Sequence, residues 1–194
     1  MKDVIIALDF QDKNKALGFL DRLGNARPFV KVGMELFYSE GPGIVEMLKE
    51  RGHQVFLDLK LHDIPHTVRG AVTSVAKLGA DILNVHASGG IGMMAAAAEA
   101  AAAFGKDRPR LIAVTQLTST AREVMNRELL IPGTVEAAVL HYARNAKEAG
   151  MDGVVCAPGE AGAIKESLGA AFLTVTPGIR FAGNTKADDQ VRVT

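Results

Sequence analysis

The sequence holds one cysteine in 194 residues, no tryptophan, and no excess of charge of either sign. A single cysteine excludes an intrachain disulfide. Cys156 sits in the apolar run Val154-Val155-Cys156-Ala157 and reads as a small core residue rather than a nucleophile. Lys+Arg and Asp+Glu both number 22, so the net charge is zero with His neutral. Surfaces for nucleic acid or membranes favour a basic excess, so neither partner is expected, and any substrate charge must be met by a local site. No apolar run approaches the roughly 18 residues that a membrane span requires. Met1-Lys2-Asp3 leads directly into a short apolar segment without a signal-peptide core, which makes the cytoplasm the expected compartment.

What is present is a rhythm. With 48% hydrophobic and 23% charged residues, the composition suits a globular protein, and we expect a single domain over 1–194. Short β-branched, apolar runs at 4–10, 29–36, 54–61, 82–88, 110–117, 153–158 and 172–179 predict strands. Between them, amphipathic stretches at 14–23, 43–51, 67–78, 93–104, 135–149 and 160–168 predict helices. Gly24, Gly52, Gly79, Gly105 and Gly150 follow helical segments, where a left-handed residue often ends the helix. The alanine-rich stretch 95–103 has high helix propensity and suits a packed helix.

Alternating strand and helix implies an α/β fold with a parallel sheet covered by helices. Polar residues collect at the ends of many strands: Asp9, Lys31, Asp58 with Lys60, His86, Thr118, and Pro177 to Arg180. An open sheet gathers its ligand at one switch point, whereas a barrel builds a site from many strand ends. We therefore expect a (β/α)8 barrel of the TIM type. Seven strands are counted, so the eighth strand and last helix are expected to be lacking in this chain, which is then either truncated or an open barrel.

The richest segment is Asp58-Leu59-Lys60-Leu61-His62-Asp63-Ile64-Pro65-His66-Thr67. Side chains alternate along a strand. Leu57, Leu59 and Leu61 are thus expected under the helices, with Phe56, Asp58 and Lys60 inside the barrel. A structural salt bridge would account for an inward acid and amine, but burying such a pair contributes little stability. A third charge, Asp63, favours function. Lys31 lies mid-strand in Phe29-Val30-Lys31-Val32-Gly33, where a lysine is poorly placed unless it serves a site or guards a sheet edge. Asp9 ends the first strand and alone could simply cap a turn.

Asp58-x-Lys60-x-x-Asp63 within Asp-Leu-Lys-Leu-His-Asp-Ile-Pro, together with Ala7-Leu8-Asp9 and Val30-Lys31-Val32-Gly33, resembles the bacterial type of the orotidine 5′-monophosphate decarboxylase family. Val114-Thr115-Gln116-Leu117-Thr118, Thr176-Pro177-Gly178-Ile179-Arg180 and Asp189-Gln190-Val191-Arg192 continue the likeness, from Val4 to Thr194. The resemblance implies decarboxylation of orotidine 5′-monophosphate to UMP, the last step of pyrimidine synthesis, without cofactor or metal. It implies that Lys60 protonates the carbon left behind, within a charged network of Lys31, Asp58 and Lys60 completed by Asp63 of a second subunit in a homodimer. Asp9 and Lys31 would hold the ribose, with Thr67 of the second subunit; Ile64, Thr118 and Pro177 would line the substrate; Arg180 and Gln190 would meet the phosphate. His62 and His66 carry no implied proton transfer. The family also ends in a strand bearing a phosphate-gripping arginine, which this chain stops short of, and weak activity or poor folding is the expectation if nothing supplies it.

That chemistry suits the residues. Loss of carbon dioxide leaves a carbanion, which a fixed ammonium can stabilise and then protonate. The glycines and polar residues of 180–190 suit a closing loop. Ser88-Gly89-Gly90-Ile91-Gly92 lacks dinucleotide-loop spacing and reads as a barrel turn. His86 is expected to pack or orient rather than bind metal. Two rivals stand against this reading. One is a magnesium-dependent sugar-phosphate lyase or synthase on the same barrel; the other is a non-catalytic nucleotide binder.

Overall fold

The computed structural model describes residues 4–179 and 191–192. Seven parallel strands pair in chain order: β1 Ile5–Ala7, β2 Phe29–Gly33, β3 Val55–Leu61, β4 Ile82–His86, β5 Arg110–Val114, β6 Gly153–Val155 and β7 Leu173–Val175. The connections carry α1 Lys13–Asp21, α2 Met34–Glu40, α3 Gly43–Glu50, α4 Pro65–Ala76, α5 Gly90–Ala102, α6 Arg122–Arg127, α7 Val135–Glu148 and α8 Ala161–Leu168. Parallel crossovers are right-handed almost without exception. An unreversed strand order therefore puts these helices on the same face, and no switch point exists among the described strands.

The face without helices has to be buried by the sheet itself. Phe56, Ile82 and Ile112 form a small cluster of their own, against which Ile5, Phe29, Val155 and Val175 pack. That set takes one side chain from each of the seven strands. In a flat sheet, β1 and β7 would stand about 29 Å apart at ordinary strand spacing. A common cluster requires the sheet to curl, so the fold is a barrel-type α/β architecture. The opposite face builds the main core, where Val30, Val32, Leu57, Leu83, Leu111 and Val154 meet Leu20, Val45, Leu48, Val72 and Val139 from the helices. The expected alternation in β3 holds: Leu57 and Leu59 belong to the helix-side core and Phe56 to the interior.

Local chemistry sets the element ends. Asp12 caps α1 by accepting the Lys15 N–H at 2.9 Å, and Thr134 caps α7 through the Ala137 N–H at 3.2 Å. Gly150 takes φ +81° after α7, turning the chain into β6. Gly153 is required for another reason: a Cβ there would lie 2.8 Å from the Leu173 carbonyl carbon, so β6 and β7 could not pair at this spacing. Among the described residues, no helix is long and apolar enough to cross a membrane.

The predicted strands begin at or within a residue of the observed ones, and all but 54–61, which ends with β3 at Leu61, run on too far. The reading 172–179 overshoots most, and 29–36 runs into α2, which starts at Met34 immediately after β2. The helices α2 and α6 were not anticipated.

Candidate active site

The interior changes character along the barrel axis. Its lower layer is the apolar cluster; above it, towards the strand C-termini, stand Asp58 and Lys60 on β3, Asn84 and His86 on β4, and Lys31 on β2. In β/α barrels this C-terminal face carries the active site.

Asp58 is the hub, 8% exposed. Its Oδ1 accepts from Lys60 Nζ at 2.7 Å and from Asn84 Nδ2 at 2.6 Å. Its Oδ2 lies 3.4 Å from Lys31 Nζ, which also donates to Asp9 Oδ1 at 3.2 Å. The result is a chain of alternating charge, Asp9–Lys31–Asp58–Lys60. Burial works to raise the Asp58 pKa, yet the Lys60 ammonium and its hydrogen bond, then Lys31 and Asn84, hold it below the usual carboxylate value.

Lys60 has an unusual backbone. Its φ is +54°, in the left-handed region, although it lies within a strand. For a non-glycine residue such a conformation costs of order 1–3 kcal/mol and persists only where surroundings enforce it. The register with β4 shifts here: Leu57 pairs with Leu83 and Leu61 with Val85, so four steps of β3 span two of β4. This irregularity takes the Lys60 N–H out of the ladder. It donates instead to Asn84 Oδ1 at 2.7 Å. The sequence reading missed Asn84, whose only local signal is a polar residue inside Ile82-Leu83-Asn84-Val85.

His86, next along the inward face of β4, is half-buried, its ring centroid 5.5 Å from that of His62. Burial first, then the charges of His62 and Lys60, hold His86 below the ordinary imidazole pKa. The neutral ring fits the packing role expected for it.

The remaining anticipated residues fall into three groups. Asp63, Ile64 and Thr67 lie in an exposed stretch where β3 leads into α4. Asp63 Oδ1 accepts from the Ile64 N–H at 2.6 Å and does not join the network within the chain. Thr118, after β5, is half-buried, and its carbonyl accepts the Val191 and Arg192 N–H groups, each at 3.0 Å; Pro177, after β7, is exposed. Arg180 and Gln190 lie outside the described residues.

A second arrangement had not been foreseen. The Arg192 guanidinium pairs with Glu160 and donates to the carbonyls of Gln116 and Leu117, both at 2.9 Å. It ties residues 191–192 to the loop that bears Thr118. Cys156 is buried and free, as expected of a core residue.

A curled parallel sheet with alternating acid and ammonium groups at its strand ends defines a barrel enzyme site. The chain belongs to the family described as "Orotidine 5'-phosphate decarboxylase / HUMPS family", which it matches over residues 2–194. It is 57% identical over 192 residues to the orotidine 5′-phosphate decarboxylase of Bacillus caldolyticus, covering 97% of this chain and 78% of that protein. The Halalkalibacterium halodurans enzyme of the same name is 54% identical over 196 residues, covering 100% of this chain and 83% of the relative. Among solved structures, orotidine 5′-phosphate decarboxylase from Lactobacillus acidophilus superposes with a TM-score of 0.88 at 42% identity, covering 93% of this chain and 82% of that one. An uncharacterized conserved protein from Geobacillus kaustophilus gives 0.86 at 55% identity, covering 89% and 82%.

Proposed function

We propose that this chain decarboxylates orotidine 5′-monophosphate to UMP and carbon dioxide, in pyrimidine synthesis in the cytoplasm, with Lys60 as the proton donor. The observation that carries the reading is the pairing of Asp58 with both Lys60 and Lys31 at the C-terminal mouth of the barrel, in a chain of this family.

The chemistry follows from charge. As carbon dioxide leaves, negative charge develops on carbon 6 of the pyrimidine, and a preorganised ammonium stabilises it without solvent rearrangement. The Lys60 proton then passes to that carbon and the amine is reprotonated from solvent. Asp58 holds Lys60 in place through its 2.7 Å bond. Lys31 and Asp9 present a cation and an acceptor suited to the ribose hydroxyls. Thr118 and Pro177 would border the base, while Arg180 and Gln190 would hold the phosphate, whose remote binding energy helps order the site. No electron-sink cofactor and no metal are called for in this scheme.

The site is completed in a homodimer. Asp63 and Thr67 are exposed, the Asp63 carboxylate bonds the Ile64 N–H rather than a group of the network, and Ile64 between them is 66% exposed. Contributed to a second subunit, Asp63 would add a carboxylate beside Lys60, with Ile64 and Thr67 against the nucleoside.

Orotidine 5′-monophosphate labelled at its carboxylate provides the test. Equal yields of labelled carbon dioxide and UMP are expected, with no magnesium requirement. UMP binding without turnover would favour the nucleotide binder, and no UMP binding would favour the sugar-phosphate enzymes.

A further inference from the structure

We infer that Asn84 is a positioning residue for the proton-donating lysine, an inference that rests on the role of Lys60 proposed above. Asn84 is 1% exposed and the lone polar residue between Ile82 and Val85 on β4. Among the described residues its side-chain amide bonds to two groups. The carbonyl oxygen accepts the Lys60 N–H at 2.7 Å, and the NH2 donates to Asp58 Oδ1 at 2.6 Å. Lys60 Nζ donates to that same Asp58 oxygen at 2.7 Å. Asn84, Lys60 and Asp58 thus form a closed ring of hydrogen bonds through the lysine's own backbone and ammonium.

The ring accounts for the left-handed Lys60. Where β3 slips two residues against β4, the Lys60 N–H has lost its ladder partner, and a buried N–H without an acceptor is costly. Asn84 supplies that acceptor from the neighbouring strand, holding residue 60 at φ +54°. The same planar group fixes the carboxylate: with Oδ1 claimed by Asn84 and Lys60, Oδ2 is left towards Lys31. Few side chains can do both. Aspartate has no donor when ionised and would set a second negative charge against Asp58; leucine has neither donor nor acceptor.

The test compares the wild type with Asn84→Leu, Asn84→Asp and Asn84→Ser for kcat, KM, UMP affinity and melting temperature. Displacement of a reacting group by about 1 Å can cost about 100-fold in rate, so kcat is expected to fall by about that factor. UMP affinity should change little, because the contacts proposed for the ribose and phosphate do not include Asn84. A crystal structure of Asn84→Leu should show Lys60 out of the left-handed region. The serine variant, small and polar, keeps the comparison readable if the leucine variant does not fold. Near-normal kcat in any folded variant overturns the inference. A loss confined to melting temperature overturns it too, making Asn84 a structural brace, and parallel loss of UMP binding would make it a ligand group instead. An inactive wild type would reject the proposed reaction itself, and this inference with it; an active wild type with active variants rejects the Asn84 role alone.

Discussion

Asp81 and Asp152 do the same job two strands apart on the sheet's lower rim. Asp81 immediately precedes β4, and its Oδ2 accepts the Val55 N–H at 2.7 Å and Lys49 Nζ at 2.6 Å. Asp152 immediately precedes β6, and its Oδ2 accepts the Leu111 N–H at 2.7 Å while Arg108 grips the carboxylate with two bonds of 2.7 and 2.8 Å. Each acid joins the start of its own strand to the preceding strand and to a basic residue leading into that layer. In a barrel, the N-terminal face contributes stability and the opposite face chemistry.

Asp152→Ala is therefore expected to lower stability without lowering turnover per folded molecule. It leaves the Leu111 N–H without its acceptor and Arg108 without its carboxylate, worth about 2 kcal/mol. Chemical denaturation and kcat, measured on the same preparation, check both halves of the statement.

Acid should destabilise the protein in two stages. The His86 pKa is depressed, chiefly by burial, so the unfolded state takes up a proton first. Stability from this group is complete above the unfolded imidazole value of about 6.5 and declines as pH falls through the folded value. Asp58 and Asp152 are depressed despite burial, by Lys60 and by Arg108 respectively. Their contribution holds above about pH 4 and is lost below it. Denaturation midpoints across pH should show the first decline vanish in His86→Gln while the second remains.

Cys156 should be inert in the folded protein. It is 1% exposed, and burial, followed by the nearby Glu160, pushes its thiol up to about 12. A thiol reagent at neutral pH is expected to label it only as fast as the chain opens. Rapid stoichiometric labelling of the native protein would contradict this placement.

Asp58→Asn should cost more in rate than in stability. The substitution keeps the shape but leaves Lys31 and Lys60 facing each other without the carboxylate that now separates them. Both lysine side chains retain over a fifth of their exposure, so water relieves part of the repulsion. We expect kcat to fall by at least about 100-fold, the scale of a misplaced proton-transfer group, and the melting temperature to shift by only a few degrees.

How much of this could be read before the coordinates varies with distance along the chain. The strand starts were legible because β-branched runs begin abruptly after Gly-bearing turns. Most strand ends were not, because apolar residues continue past the last paired one, as in Met34-Glu35-Leu36, which already belongs to α2. The helix α6 has six residues, Arg122–Arg127, too few to display a period. Alternation alone placed Asp58 and Lys60 on the inward face. Asn84 was invisible by the same rule, since its importance depends on a register shift between β3 and β4 that only the paired strands reveal. The link between Glu160 and Arg192 joins residues 32 apart and had no local mark either.

The most direct measurement is the loss of orotidine 5′-monophosphate absorbance, followed with EDTA present, for the wild type and for Lys60→Ala. In the proposed mechanism Lys60 supplies both the charge that stabilises the carbanion and the proton that quenches it. The account predicts turnover by the wild type without metal, and its disappearance in a folded Lys60→Ala that still binds UMP. Undiminished turnover by Lys60→Ala, or wild-type turnover abolished by EDTA, would contradict it.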